Sequence, residues 1–301
     1  MSKKKKKKHG LRRVAGYFVN HRLLNWMPDK PYLQIFYYAE FGKFIDFKNP
    51  KTFNEKLNWL KLYYRRPDLI TLVDKYEVKK YIADKIGEQY VIPTLGVWDK
   101  FEDINFNELP NQFVLKCTHD SGGLVVCKDK SKLDLKKAKE KIEKSLANNY
   151  YLWTREWSYK GVKPRIIAEK YMEDQETGEL RDYKFFCFNG EPKLMFVATE
   201  RGVKNTKFDF YDMQFNHMNI VQHYPNSVSA IKKPEHFEKM LELAKKLSEG
   251  FPHVRVDFYE ANGQVYFGEM TFYHFGAIVP FETKEWDKKI GDWLVLPEKI
   301  S

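Results

Sequence analysis

The segment His253 to Phe272, HVRVDFYEANGQVYFGEMTF, carries two carboxylates and an arginine in a pattern that paired strands can gather on one patch. Alternation along a strand puts Val254, Val256 and Phe258 on one face and Arg255, Asp257 and Tyr259 on the other. The returning strand brings Glu269 among Val265, Phe267 and Gly268. A magnesium ion that arrives with a nucleotide needs one or two protein carboxylates, because phosphate oxygens and water supply the other ligands. Asp257 and Glu269 meet that demand, with Arg255 beside them. The ordinary alternative is an exposed Arg255 and Asp257 pair on a solvated sheet, which contributes little. Geometry sets a condition: in a plain antiparallel hairpin the two acids share a face only if the loop is odd in length or a bulge shifts the register.

A second group lies in VLKCTHDSGGLVV, where Lys116 ends a strand and Asp120, Ser121, Gly122 and Gly123 lead into the next. Glycines let backbone N–H groups approach phosphate oxygens, and a lysine at the strand end adds a point charge. A Gly-Gly hairpin tip with a surface lysine is the ordinary reading of the same residues, so on its own this group is weak evidence. In DKYEVKK, Asp74 is a helix N-cap candidate with Lys75 and Lys79 following it. In IIAEKYM, Glu169 leaves a strand toward the turn Asp174 to Gly178, and RDYKFF then places Asp182 and Lys184 on one strand face. The eight histidines form no recognisable triad; His119 beside the glycine loop and His274 after the Glu269 strand are the ones to watch.

Elements that position these residues are marked by their periodicity. Leu135, Ala138, Ile142 and Leu146 predict one amphipathic helix. Phe237, Met240, Leu241, Ala244 and Leu247 predict another, stopped by Gly250, and a third begins near Lys75 and ends before Gly87. Short β-branched and aromatic runs predict strands at 113–115, 124–127, 166–172, 183–188, 192–198, 254–259 and 264–269. Asn189-Gly190 and Asn262-Gly263 are hairpin turns by type, since both residues tolerate positive φ. Antiparallel sheets with separate helices give an α+β architecture.

Composition narrows the function classes. The chain has 301 residues, 43% of them hydrophobic and 16% aromatic, which is enough to bury a substantial core. Its net charge is +11, but Lys3 to Lys8, Arg12, Arg13 and Arg22 place nine positive charges ahead of the first acid, Asp29, and leave a body of about +2. A near-neutral body argues against tracking a nucleic-acid backbone. Six lysines followed by Leu11, Val14, Ala15 and Phe18 at helical spacing fit either a solvated segment ahead of a packed helix or peripheral contact with an anionic membrane face. No apolar run reaches the roughly 18 residues of a membrane span, and none follows the basic start as in a signal peptide, so a cytoplasmic protein is expected. Cys117, Cys127 and Cys187 are odd in number, lack close pairing and sit among apolar residues, and they are expected to be reduced core residues.

Taken in order, NPKTFNEKLNWLKLYYRRP, DKYEVKKYIADKIGEQYVIPTLGVW, VLKCTHDSGG, DYKFFCFNGEPK, VRVDFYE and FGEMTFYHFGA resemble the ATP-grasp superfamily, and within it the TupA-like group typified by a teichuronopeptide-biosynthesis protein. The resemblance runs from about Phe44 to Pro297. It implies an ATP-grasp fold with the nucleotide between two antiparallel-sheet subdomains and a helical region before them. The implied divisions are a basic and helical segment at 1–43, a preceding region at 44–110 and the nucleotide and metal region at 111–301.

The resemblance also implies roles. Lys79, Lys116, Ser121, Gly122 and Gly123 would contact ATP, Glu169 and Met172 would flank the adenine, and Asp182 would reach the ribose. Lys184 or Lys207 would reach phosphate, Asp257 and Glu269 would hold Mg2+, and Arg255 would act on the transferred phosphoryl group with Lys116 and Lys184. Many superfamily members have Asn two residues after the metal-binding Glu; here Thr271 stands there, a shorter oxygen ligand. The implied reaction is ATP-dependent ligation of a carboxylate to an amine through an acylphosphate, on a carboxylated surface polysaccharide, a lipid-linked glycan precursor or an amino acid. Two alternatives are a glycosyltransferase of polysaccharide assembly, against which the absence of a DxD motif in a βαβ half argues, and an inactive scaffold recruited to the membrane.

Overall fold

A computed structural model describes residues 10–120, 122–175, 178, 180–200 and 206–300. Helices α1 (Leu11–Asn20), α2 (Asp29–Phe41), α3 (Phe53–Tyr63), α4 (Asp68–Val73) and α5 (Val78–Ile86) come first, followed by strands β1 (Thr94–Trp98), β2 (Phe113–Cys117) and β3 (Leu124–Cys127). Helices α6 (Leu135–Leu146) and α7 (Tyr151–Thr154) lead to β4 (Ile166–Lys170), β5 (Arg181–Phe188), β6 (Glu191–Thr199), β7 (Lys207–Tyr211) and β8 (His217–Met218). The chain continues through α8 (Phe237–Ser248), β9 (His253–Ala261), β10 (Gln264–Thr271) and α9 (Lys284–Trp293).

The strands form a four-stranded sheet in the order β1-β4-β2-β3 and a six-stranded sheet in the order β10-β9-β5-β6-β7-β8. Each pairing between these strands is antiparallel, so the α+β expectation holds and no βαβ half appears among the described residues. Both Asn-Gly turns are left-handed at each position, with φ of 50° and 82° at Asn189 and Gly190 and 52° and 72° at Asn262 and Gly263. That conformation twists a two-residue loop to match the strands on either side of it.

The small sheet buries Phe113, Leu115, Ile166 and Ala168 under Ala138 and Ile142 of α6. On the large sheet, α8 covers one face, where Phe237 meets Phe185 at 5.9 Å between ring centroids. The other face is divided along its length. Toward one end, Phe53 of α3 packs on Phe188 at 5.9 Å and on His253 at 5.0 Å. Toward the other end the same alternation presents Asp182 and Lys184 of β5 beside Asp257 of β9, and this end looks toward the small sheet.

Helix α3 opens with a capping box: Glu55 accepts from the backbone N–H of Thr52 at 3.1 Å, and Thr52 Oγ1 accepts from that of Glu55 at 3.4 Å. Its buried residues include Asn54, Asn58 and Lys61 as well as Phe53, Leu57 and Leu60, so it carries no clean apolar stripe. The three cysteines are free and buried, as their surroundings in the sequence predict. No helix among the described residues is long and apolar enough to cross a membrane.

Candidate active site

Three adjacent strands set three charged residues in a row: Lys184 of β5 pairs with Asp257 of β9, which pairs with Glu269 of β10. The bulge that the hairpin requires is present. Register shifts between Phe267 and Glu269, so Gly268 is an extra residue and Glu269 comes round to the Asp257 face. A Cβ at Gly268 would lie 3.1 Å from the Asp257 carbonyl oxygen and 3.2 Å from the Tyr259 ring, which suits glycine to this position.

Arg255 links both acids. Its Nε and Nη2 donate to the two oxygens of Asp257, each at 2.7 Å, and Nη2 also donates to Glu269 at 2.7 Å. Its Nη1 donates to His274 Nδ1 at 3.0 Å, and His274 Nε2 donates to Gln222 Oε1 at 2.9 Å. That tautomer follows from the partners, because a guanidinium only donates. Burial, reinforced by Arg255, holds His274 well below its ordinary pKa, so it is a neutral support for Arg255. Lys184 bridges Asp182 at 2.7 Å and also bonds Asp257.

Burial pushes the Asp257 carboxyl up to about 6, against the pull of Arg255 and Lys184. For Glu269, desolvation acts in the same sense but is outweighed by Lys184, Arg255 and Lys75, which hold its carboxyl well below the usual range. Glu269 is also the accessible member of the pair: 40% of its side chain is exposed, against none of Asp257. The Thr271 hydroxyl donates to Glu269 at 3.2 Å, which puts it beside the acids.

A second constellation stands on the small sheet and α5. Glu169 of β4 is clamped by two lysines, Lys79 at 2.6 Å and Lys116 at 2.5 Å, one on each oxygen. Burial raises the Glu169 carboxyl, but the two ammonium groups prevail and bring it below its ordinary value. Lys79 also donates to the Ile92 carbonyl at 2.7 Å. Beside the clamp opens a cavity of about 440 Å³, lined by Val114, Leu124, Val126, Tyr171 and Met172 and closed across the gap by Tyr259 of the large sheet. Leu124 and Val126 are 42% and 49% exposed, and these apolar side chains are part of the cavity wall.

Lys75 joins the two constellations. It donates to the Asp120 carbonyl, and its ammonium is influenced by both Glu269 and Lys116. Asp120 caps its own loop by accepting from Gly123 N–H at 3.2 Å and from the Ser145 hydroxyl. Gly123 has no room for a side chain, since a Cβ would lie 2.8 Å from Cys117 Sγ and nearer still to Ser145, whereas Gly122 is open. Ser121 lies outside the described residues. Lys207 opens β7 opposite Thr199, one residue out of step with the pair Asp182 and Ala198, which puts it on the alternate sheet face from Lys184. His119 sits apart, 3.1 Å from the Asn148 carbonyl.

Behind the charged row is a buried layer that no pattern in the sequence singles out. The Lys61 ammonium, with no exposure, donates to Asn58 Oδ1 at 3.2 Å, Thr154 O at 2.8 Å and Gly276 O at 2.5 Å. It thereby holds a segment in which Phe275, Gly276 and Ala277 are successively left-handed, with φ of 48°, 59° and 54°. Nearby Glu156 accepts from the Thr154 hydroxyl at 2.8 Å. Burial raises Glu156 to about 7 and lowers Lys61 to about 8, each drawn back by the other's charge, and Glu156 also feels Glu269 and Arg255. The one hint in the sequence is position: Lys61 interrupts the apolar WLKL on a helix that opens with a capping box.

Among the described residues no group of three or more His, Cys, Asp or Glu side chains forms a cage for a metal. The pair Asp257 and Glu269 instead suits a hard cation that brings its own phosphate ligands. The cavity, with apolar walls and a lysine-carboxylate clamp at one side, suits a flat heterocycle with an anionic extension.

The family model described as TupA-like ATPgrasp matches residues 55–295. The chain belongs to the TupA-like ATP-grasp family. Its α+β fold, with two antiparallel sheets facing a common cavity, is therefore an ATP-grasp fold, as the resemblance implies. No curated protein matches this TupA-like chain. Among solved structures, it is similar to a D-alanine--D-alanine ligase from Bacillus anthracis complexed with ATP, at 17% identity over 67% of this chain and 55% of that one, with a TM-score of 0.40. It is also similar to the ATP-grasp ligase PsnB complexed with minimal precursor, Mg and ADP, at 10% identity over 80% and 64%, TM-score 0.40. An L-amino acid ligase from Bacillus licheniformis matches at 13% identity over 86% and 54%, again with a TM-score of 0.40. The TupA-like chain spans between about half and two thirds of the length of these proteins.

Proposed function

We propose that this chain is an ATP- and magnesium-dependent ligase that joins a carboxylate to an amine through an acylphosphate. The observation that carries this reading is the juxtaposition of the Glu169 clamp and its apolar cavity with the row Lys184, Asp257 and Glu269. Val114, Leu124, Val126 and Met172 would enclose the adenine. Lys79 and Lys116 would turn from Glu169 toward phosphate, and Asp182 would face the ribose. The loop at Ser121, Gly122 and Gly123 would close over the phosphates, with Lys184 as a further cation; Lys207, on the other face of the sheet, is turned away from them. Residues 111–301 would form the nucleotide and metal region, with Lys79 contributed from the segment before it.

Asp257 and Glu269, with Thr271 at the margin, are the residues that would hold Mg2+. When bound with ATP, that ion would neutralise phosphate charge and polarise the transferred group. Arg255 is fixed by Asp257 and supported by His274, so its guanidinium would meet the γ-phosphoryl group with little reorganisation. A substrate carboxylate oxygen then attacks the γ-phosphorus, and the bond to the ADP oxygen breaks. An amine next attacks the acyl carbon, phosphate leaves with the bonding pair, and the nitrogen releases a proton. Neither step asks for a catalytic histidine, since positioning and charge neutralisation dominate phosphoryl transfer. The substrate class we favour is a carboxylated surface-polysaccharide or lipid-linked glycan precursor receiving an amino acid or amine.

The test is acylphosphate trapping: the protein, Mg2+, ATP and a panel of uronic-acid glycans and amino acids are incubated with hydroxylamine. A hydroxamate that needs both ATP and one carboxylate supports the ligase, and Arg255→Met is expected to lower its formation about 100-fold or more. Turnover of a sugar nucleotide with no ATP-dependent hydroxamate would instead favour the transferase.

A further inference from the structure

We propose that α1 and the turn after it form a docking surface for an anionic lipid bilayer. Helix α1 is fastened on one side only. Gly16 and Val19 are buried in its packing on α2, and Arg12 ties it down by donating to the Glu40 carbonyl at 2.7 Å. Leu11, Val14 and Phe18, at helical spacing, stay 75%, 52% and 41% exposed.

The stripe is extended by the way the helix stops. Arg22 is left-handed at φ 59°, its N–H bonds the Val19 carbonyl at 2.9 Å, and the Leu23 N–H bonds the Phe18 carbonyl at 3.0 Å. This pair of bonds is a Schellman stop, which sets the residue after the turn against the helix position it bonds. It places Leu23, itself 49% exposed, beside Phe18.

Trp26 follows within the same run of turns and is 79% exposed. Its backbone is held on both sides. The Arg155 guanidinium, itself buried, donates to the Asn25 carbonyl at 2.8 Å and to the Met27 carbonyl at 3.3 Å. Arg22 adds a tie to Asn148 Oδ1 at 2.7 Å. A large indole is thus presented outward by a fixed loop, which is the placement of an interfacial anchor.

Charge selects the occupant. Lys3 to Lys8 precede this helix directly, and with Arg12, Arg13 and Arg22 they give nine positive charges before any acid. Two copies of such a face repel each other, whereas an anionic bilayer attracts the lysines and receives the apolar stripe. The surface is separate from the cavity and the charged row, so the inference stands whether or not the ligase reading does.

The experiment is cosedimentation of the full chain with vesicles of phosphatidylcholine alone or mixed with phosphatidylglycerol, at low and high salt. Pelleting is expected with the anionic vesicles only, weakened by salt. Trp26→Ser combined with Phe18→Ser is expected to lower the affinity at least tenfold, and Trp26→Ser alone, at a side chain 79% exposed, to weaken binding without moving the melting temperature. Replacing Lys3 to Lys8 by glutamine is expected to do the same. Absence of pelleting overturns the proposal, as does pelleting that survives the Trp26 and Phe18 changes, or a face that buries itself in a dimer or retains RNA while ignoring vesicles.

Discussion

Glu269 stands directly across the hairpin from Asp257 because Gly268 adds one residue to β10 at that point. Without the extra residue, regular pairing from the Asn262-Gly263 turn would set Gly268 opposite Asp257 and turn Glu269 toward the core face. Gly268→Val is therefore expected to disturb the site as well as the sheet. Its side chain would crowd the Asp257 carbonyl and the Tyr259 ring at little more than 3 Å, an overpacking cost of about 1–3 kcal/mol. Denaturant midpoints with and without Mg-ATP measure both effects. A variant that keeps the wild-type midpoint and the full ligand shift would show that the bulge does not set the carboxylates.

The clamp on Glu169 predicts a pH signature. Its folded-state pKa lies below its ordinary value of 4.5, so the stabilisation is present above that pH and is lost as pH falls through the lower folded value. Glu169→Gln leaves Lys79 and Lys116 close together without their anion, and at neutral pH it should cost about 3 kcal/mol. The melting gap between wild type and Glu169→Gln should narrow as pH is lowered from neutral to below 4.5, the ordinary value. A gap independent of pH would mean that the carboxylate charge is not what holds the two lysines.

Lys61 and Glu156 should behave as a unit. Lys61→Met removes three hydrogen bonds and takes away the main positive charge acting on buried Glu156, so a loss of about 3–5 kcal/mol is expected. Adding Glu156→Gln should recover part of it, with a coupling of about 0.5–3 kcal/mol in urea unfolding. Strict additivity would show that the two groups act separately.

The β9–β10 hairpin is legible from its residues alone because Asn-Gly turn chemistry and strict alternation agree there. Helices α6 and α8 are legible for the same reason, since each buries one apolar stripe at helical spacing. Helix α3 is not, because its packing buries Asn54, Asn58 and Lys61 along with its apolar residues and leaves no stripe to count. Strands β1 and β7 are short: β1 is defined by pairing with β4, far along the chain, and β7 by pairing with its neighbour β6, more than by their own residues.

For the site, local spacing brings out Arg255, Asp257 and Glu269, which lie within one hairpin. The clamp of Lys79, Lys116 and Glu169 joins residues far apart in the chain, and only the family resemblance connects them in advance. Glu156 and Lys61 escape both routes, and Lys75 is marked only by its place after Asp74, with no role attached to it. Their significance comes from burial and long-range contact, and neither leaves a periodic trace in the sequence.

The measurement that bears most directly on the central claim is thermal unfolding with Mg-ATP or with a panel of sugar nucleotides, for the wild type and for Asp257→Asn combined with Glu269→Gln. At about 100 times its dissociation constant, a ligand adds about 2.7 kcal/mol. Mg-ATP is expected to raise the melting temperature of the wild type, the sugar nucleotides are expected to leave it unmoved, and the double variant is expected to lose the shift. Stabilisation by a sugar nucleotide but not by ATP, or a double variant that keeps the whole Mg-ATP shift, would contradict the ligase reading.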